Sequence, residues 1–242
     1  MAETSISSDW VRHSQLGAGL ERIEAYFGGH GYAPHRHDTY ALGLTLSGVQ
    51  SFAYRRSQRH SLPGGAMVLH PDELHDGHAG TDAGFRYRMV YVEPALIQQV
   101  LGGRPLPFVE GGLSADPRLK DLEPLARDDA LYDLALALEA VAGRRKLRRL
   151  PDLVAVERAR ACIHDSLEQG VTLEALSQAS DLDRWRLCRD FRALYGTSPY
   201  RYLSMRRLDT VRRLLLAGQP VAEAALQAGF FDQSHMARQF AM

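Results

Sequence analysis

The sequence predicts an α+β chain: an antiparallel β-barrel first, a helical segment in the middle, and an all-α domain with two helix-turn-helix motifs at the end. Three observations predict it. Between Gly19 and Tyr91, short strand-like runs are broken by Gly and Pro at roughly ten-residue spacing, as in small antiparallel barrels and sandwiches. From Pro94 the apolar positions recur at three- and four-residue steps, the period of a helix. Between Val171 and Phe240, two short pairs of helices flank one long helix, and each pair ends in a helix with polar or basic residues on one side.

At 242 residues the chain is long enough for two domains, each with its own core. The net charge of zero hides an asymmetry: residues 1–143 sum to −6 and residues 144–242 to +6. An acidic front and a basic back suit a C-terminal domain that meets phosphates. Much of the basic excess lies in Arg144-Arg145-Lys146-Leu147-Arg148-Arg149, which reads equally well as a phosphate-binding run or a solvated linker. No apolar run approaches the ~18–20 residues that cross a bilayer, and the start at Met1-Ala2-Glu3 is unlike a signal peptide. Cys162 and Cys188 are the two cysteines, so no disulfide framework is expected, and a cytoplasmic location is.

In the front half, strands are expected at Tyr40–Leu46, Gln50–Tyr54, Ala66–Leu69 and Phe85–Tyr91. The alternation of Phe85, Tyr87, Met89 and Tyr91 gives the last of these one apolar face, with Arg86 and Arg88 on the other. The middle begins with a helix from Pro94, stopped by Gly102-Gly103. Ser114-Ala115-Asp116-Pro117 reads as a further helix start, and two helices are expected after it. The second, from about Asp128 to Ala142, carries a stripe of Leu131, Leu134, Ala135, Leu138 and Val141, with Leu136 beside it. Such a stripe packs either on the barrel or on a second copy of the chain.

In the back half, a helix over Leu153–Glu168 precedes the first motif. Thr172 caps one helix and Asp183 the next. Leu187 and Phe191 point inward at i, i+4, which turns Arg184, Trp185, Cys188 and Arg189 outward or to the flanks. An arginine there can grip a guanine edge or a phosphate, and Trp185 can lie on a sugar or a thymine methyl, or fill a half-buried core position. The helix from Pro199 to Leu216 is about 27 Å long at ~1.5 Å per residue. Major-groove faces recur every ~34 Å, so a rod of that length lets two motifs reach neighbouring groove segments.

Two resemblances follow from these residues. Pro34-His35-Arg36-His37, Gly48, Leu62-Pro63-Gly64-Gly65 and His70-Pro71-x-x-x-His75 resemble a cupin, in particular the effector-binding domain of AraC-type regulators. That resemblance implies a small-molecule effector, with His35, His37, Tyr40 and His75 as ligand-binding candidates; Tyr40 reads equally as core. Metal cupins add a Glu shortly after the His-x-His pair. Here Tyr40, Ala41 and Leu42 stand instead, so neither a metal nor another cofactor is expected. His70 and His78 carry less weight, because histidines are frequent in this chain.

Further on, Phe191, Gly196-x-Ser198-Pro199, Tyr202-Leu203, Arg207-Leu208, Glu223-x-Ala225, Gly229-Phe230-x-Asp232-x-Ser234 and Arg238-x-Phe240 resemble the AraC/XylS-type DNA-binding domain. By position, the resemblance implies that Gln233, Ser234, His235 and Arg238 face bases in the second motif. It also implies double-stranded DNA as partner, a homodimer made through the middle helices, and contact with RNA polymerase. Asp181 stands where the family has a turn glycine, Ser177 replaces an alanine, and Met236 conservatively replaces a large apolar residue. The sequence stops at Met242 inside the last recognition helix, so the second motif is expected to be incomplete. The expected domains are 1–112 for the cupin-like barrel, 113–150 for the helical segment and basic linker, and 151–242 for the DNA-binding domain. The expected function is an effector-controlled transcriptional regulator and not an enzyme. The rival is a metal-dependent cupin enzyme with accessory helices; a DNA-repair methyltransferase would need a reactive cysteine cluster that the front half lacks.

Overall fold

A computed structural model describes residues 9–121, 128–143 and 149–240. The chain divides into two compact units, residues 1–101 with 106–146, and residues 147–242 with 102–105.

Among its described residues the N-terminal unit has ten strands, all paired antiparallel. They are β1 (Trp10–Gly17), β2 (Leu20–Phe27), β3 (His30–His35), β4 (Tyr40–Gly48), β5 (Gln50–Tyr54), β6 (Ser57–Ser61), β7 (Ala66–Leu69), β8 (His75–Ala79), β9 (Phe85–Val92) and the short β10 (Leu113–Ser114). One sheet runs β1-β2-β9-β4-β7-β10, the other β3-β8-β5-β6. Residues of one parity face the space between the sheets: Ala41, Met67, Leu69, Phe85, Tyr87 and Met89 meet Phe52 and Tyr54 there. The opposite parity of the six-stranded sheet, with Leu42, Val68, Val90 and Val92, is covered by helices.

Among the described residues, the α-helices of this unit are α1 (Pro94–Leu101) and α2 (Asp128–Ala142). Ile97 and Leu101 from α1 join Leu134, Ala135, Ala137 and Leu138 from α2 in that second core, and Leu131 and Val141 pack against it. The apolar stripe of α2 is therefore spent on the barrel. Leu136 and Tyr132 point elsewhere and are exposed. Asp116 and Pro117 do start a helix, with the Asp116 side chain accepting from Arg118 N–H. It is a single 3-10 turn, Pro117–Leu119, and not the first of two full helices. The rest of the stretch expected to hold the first of those helices, residues 122–127, lies outside the described residues.

Strand β9 shows how one sequence serves two environments. Its inward face follows the predicted alternation. Its other face begins with Arg86 and Arg88, which hold Glu24 between them, and ends in Val90 and Val92 under the helices. The two guanidiniums, with burial opposing, hold the Glu24 carboxyl below its ordinary value.

The C-terminal unit holds α3 (Leu153–Asp165), α4 (Leu173–Ser180), α5 (Arg184–Tyr195), α6 (Pro199–Leu216), α7 (Val221–Gln227) and α8 (Gln233–Phe240). Asp152, Thr172, Asp183 and Ser198 each accept a backbone N–H at the start of the helix that follows them. Helix α3 ends at Asp165, a few residues before the expected Glu168. Arg207 of α6 takes up carbonyls left beyond that end, donating to Leu167 O at 2.7 Å and Glu168 O at 3.2 Å.

Phe191, Tyr195 and Tyr202 stack edge and face in the first motif, with ring centres 5.1–6.0 Å apart. Val211, Ala224, Ala225, Phe230 and Met236 close the second. Gly229 sits where this packing admits no side chain: its φ is +85°, and a Cβ would lie 2.4 Å from Glu168 O. Asp181 adopts the left-handed turn expected of it, at φ 55° and ψ 34°. Of the basic run before this unit, residues 144–148 lie outside the described residues. Arg149 is inside them and donates to Asp190 at 2.7 and 2.9 Å.

Candidate functional site

Two places in the molecule gather the polar residues singled out in the sequence. The first is one end of the barrel interior. His35 closes β3 and pairs across the sheet with His75, which opens β8. His37 lies two residues on, and its carbonyl accepts from Asp72 N–H at 2.8 Å. Arg36 donates to Asp72 O at 2.6 Å, so the segment carrying His35 and His37 is pinned to the loop that leads to His75. The ring centres of His35 and His75 are 4.4 Å apart, and those of His37 and His75 4.8 Å. One ring nitrogen from each histidine lies within 4.8 Å of the other two.

Each ring makes its Nδ1 contact with a backbone carbonyl two residues away. His35 reaches Ala33 O at 3.0 Å, His37 reaches Thr39 O at 2.8 Å, and His75 reaches Glu73 O at 2.9 Å. Burial pushes His37 well below the usual histidine range, with repulsion from His75 and His35 adding to it. Burial likewise pulls His75 down to about 4. These two imidazoles are therefore neutral near neutral pH. Around the trio stand Tyr32, edge-on to His35 and His75, and Tyr91, edge-on to His37. Gln50, fully buried, donates to the Tyr32 hydroxyl at 2.9 Å.

Tyr40 is not part of this group. It stands on the other side of the sheet, in the core beneath the helices, and its hydroxyl donates to Pro107 O at 2.6 Å. The chain bends at Asp38 and Thr39 between β3 and β4, which lie in different sheets, and Tyr40 opens β4 on the face that carries Leu42 rather than on the face of Ala41. His70 shares Tyr40's surroundings, between Tyr40 and Phe108. The residues that sequence reasoning missed are Tyr32, Gln50 and Tyr91. Tyr91 was legible as the end of the β9 alternation; Tyr32 and Gln50 lie on β3 and β5, where the sheet pairing alone brings them near.

The second place is the solvent face of the two motif-closing helices. On α5, Arg184, Trp185 and Arg189 are exposed and Cys188 is half-buried. Trp185 keeps 76% of its surface, which excludes the core position; the Arg184 guanidinium lies 6.0 Å from its ring centre. Arg186 turns back instead, toward Asp152 and Asp190. On α8, Gln233, Ser234 and Arg238 are exposed. His235 is half-buried: its ring stands against Phe230, and its Nδ1 accepts from Phe231 N–H at 3.4 Å. Asp232 accepts the His235 N–H at 2.6 Å and so caps α8. The eight candidates thus fall on two helices, with Cys188 and His235 half-buried and the other six exposed.

A family model described as the AraC-like ligand binding domain matches residues 17–163, and one described as a helix-turn-helix domain matches 176–242. This chain belongs to the AraC family of transcriptional regulators. Among curated relatives of this AraC-family chain, the HTH-type transcriptional regulator YbfI of Bacillus subtilis is 25% identical over 222 residues, covering 84% of this chain and 80% of that protein. MarA of Escherichia coli, a multiple antibiotic resistance protein, is 29% identical over 94 residues, covering 38% of this chain and 74% of MarA. Among solved structures, ToxT from Vibrio cholerae O395 shares the fold across 93% of both chains, with a TM-score of 0.65 at 11% identity. A further ToxT structure holds (E)-4-(8-methylnaphthalen-1-yl)but-3-enoic acid. The AraC-type chain is thus a DNA-binding regulator with a small-molecule-binding domain, and the rival reading as a cupin enzyme is not favoured. Among its described residues, no helix is long and apolar enough to cross a membrane.

Proposed function

We propose that the effector enters the barrel at the His35, His37 and His75 end, and that its occupancy changes how α5 and α8 engage an operator. On α5, Arg184 and Arg189 contact phosphate or guanine edges, Trp185 packs on sugar or a thymine methyl, and Cys188 flanks them. On α8, Gln233, Ser234 and Arg238 read base edges, with His235 at the margin. The single observation that carries the reading is the exposed polar and aromatic face shared by Arg184, Trp185 and Arg189 on a helix whose other face is fully packed. A regulator of this kind works in the cytoplasm, as a homodimer, and in contact with RNA polymerase. Tyr132 and Leu136, the apolar residues that α2 leaves exposed, are the proposed dimer contact.

The test is selection of operator sequences from a random duplex pool with the full chain, followed by anisotropy titration. A sequence preference that is lost in Trp185→Ala and Arg189→Ala supports the reading. Binding that is equal for all duplexes, with and without a panel of small molecules, overturns it.

A further inference from the structure

We propose that Phe231 reads the C5-methyl group of a thymine in the half-site bound by the second motif. In the pattern Gly229-Phe230-x-Asp232 the third position is open, and this chain fills it with an aromatic ring. The two neighbouring phenylalanines have opposite fates. Phe230 is buried with Val211, Ala224 and Met236, whereas Phe231 keeps 82% of its surface. Among the described residues no large apolar side chain is more exposed.

An apolar residue just before a helix cap can pack on the residue four places into the helix and so fix the entry of the chain. With Asp232 capping α8, that partner would be Met236. Met236 lies in the motif core and Phe231 stands in solvent, so the ring makes no such staple. Its backbone is nonetheless held. Gly229 sets the turn at φ +85°, the Phe231 N–H donates to His235 Nδ1 at 3.4 Å, and Asp232 accepts the His235 N–H at 2.6 Å. The residue is thus tied to the helix it precedes.

A single exposed apolar side chain is ordinary on a protein surface, so its place is what decides. Phe231, Asp232, Gln233 and Ser234 form one exposed run where α8 begins. In helix-turn-helix proteins that end of the second helix meets base edges in the major groove. Helix α5 is built alike, with Trp185 in its first turn and 76% exposed. Each motif-closing helix leads with an aromatic ring.

The chemistry of the ring selects what it recognises. Phenylalanine has no side-chain donor or acceptor, so the polar base edges are left to Gln233, Ser234 and Arg238. The thymine methyl is the apolar group of the major groove, and phenylalanine is among the side chains that contact it. Wedging between base steps is a device of minor-groove binders, which a helix in the major groove does not reach. The proposal rests on the reading of α8 as a base-facing helix.

Duplexes selected from a random pool by the full chain are remade with each thymine in turn replaced by deoxyuridine, which lacks only the methyl group. They are then titrated by anisotropy with wild type and Phe231→Ala. At one thymine the wild type is expected to bind about fourfold more weakly without the methyl. Phe231→Ala is expected to bind the thymine and uracil duplexes equally there, and to melt with the wild type by circular dichroism. No thymine whose methyl matters, or a difference that persists in Phe231→Ala and so belongs to another side chain, overturns the proposal and leaves the polar reading by α8 in place. Loss of folding in Phe231→Ala would put the ring in the core and overturn it too. Equal binding of all duplexes would overturn the proposal together with the reading it rests on.

Discussion

Asp190 is a carboxylate on the packed side of a recognition helix, only 4% exposed, and Arg149, with Arg186 further off at 3.7 Å, is what makes that tolerable. Arg149 Nη2 donates to both of its oxygens, and Asp152 N–H adds a bond at 3.2 Å. Removing one partner of a buried pair leaves an uncompensated charge, which costs about 3–5 kcal/mol in a dry site. Arg149 is itself 45% exposed, so screening reduces the figure. Arg149→Met is expected to lower the stability of the helical unit by about 1–2 kcal/mol, read from its urea transition by circular dichroism. The sequence carried half of this: Asp190 stands on the packed face of its helix, a sign that some cation must come to it. Which cation came was not legible, since five basic residues lie in the run from Arg144 to Arg149.

A second residue-scale case is Glu24 between Arg86 and Arg88. Its folded pKa lies below the ordinary 4.5, so the linked stability is fully present above that pH and is lost as pH falls through the folded value. The stability of the barrel unit is therefore expected to fall more steeply below pH 4.5 in the wild type than in Glu24→Gln, by thermal melts across the acid range.

At the scale of elements, the strands were legible wherever one face alone is buried, and less so where both are. The β9 alternation read correctly for Phe85, Tyr87, Met89 and Tyr91. Val90 and Val92 are buried on the other face because helices cover it, which periodicity within the strand does not reveal. The same limit governs α2. A stripe of Leu131, Leu134, Ala135 and Leu138 looks identical whether it meets a sheet or a second chain, and the partner decides. Leu138 is wholly buried in the barrel core, whereas Leu136 is 37% exposed. Leu138→Ala is expected to cost the barrel unit about 2–5 kcal/mol, and Leu136→Ala less than about 1. If α2 also makes the dimer, Leu136→Glu shifts the sedimentation of the chain toward monomer while leaving its melting temperature nearly unchanged. Loss of both together would mean that Leu136 belongs to the core. The long helix α6, by contrast, was bounded in the sequence by Ser198-Pro199 at one end and Gly218 at the other, and runs from Pro199 to Leu216 as those signals require.

For the whole molecule, the separation of charge bears on what drives DNA binding. A chain with zero net charge has no overall attraction for DNA, so affinity must come from the local field of the basic unit. At physiological ionic strength the Debye length is about 8 Å. Beyond that distance the acidic residues of the N-terminal unit are screened, and only arginines close to the duplex contribute. Each phosphate neutralised releases counterions and adds about 0.9 to the slope of log affinity against log salt. Arg184→Ala and Arg189→Ala are therefore each expected to weaken operator binding and to reduce that slope by about 1 if they serve phosphates. An arginine that grips a guanine instead leaves the slope closer to the wild-type value and relaxes preference at one base pair, at a cost of about 1–3 kcal/mol. Trp185→Ala separates the remaining case: with no charge to lose, it is expected to weaken binding at every salt concentration with an unchanged slope. Anisotropy titrations of the full chain between low and physiological salt distinguish the three patterns. A variant series in which neither affinity nor slope moves would remove α5 from the interface and leave the reading of DNA to α8.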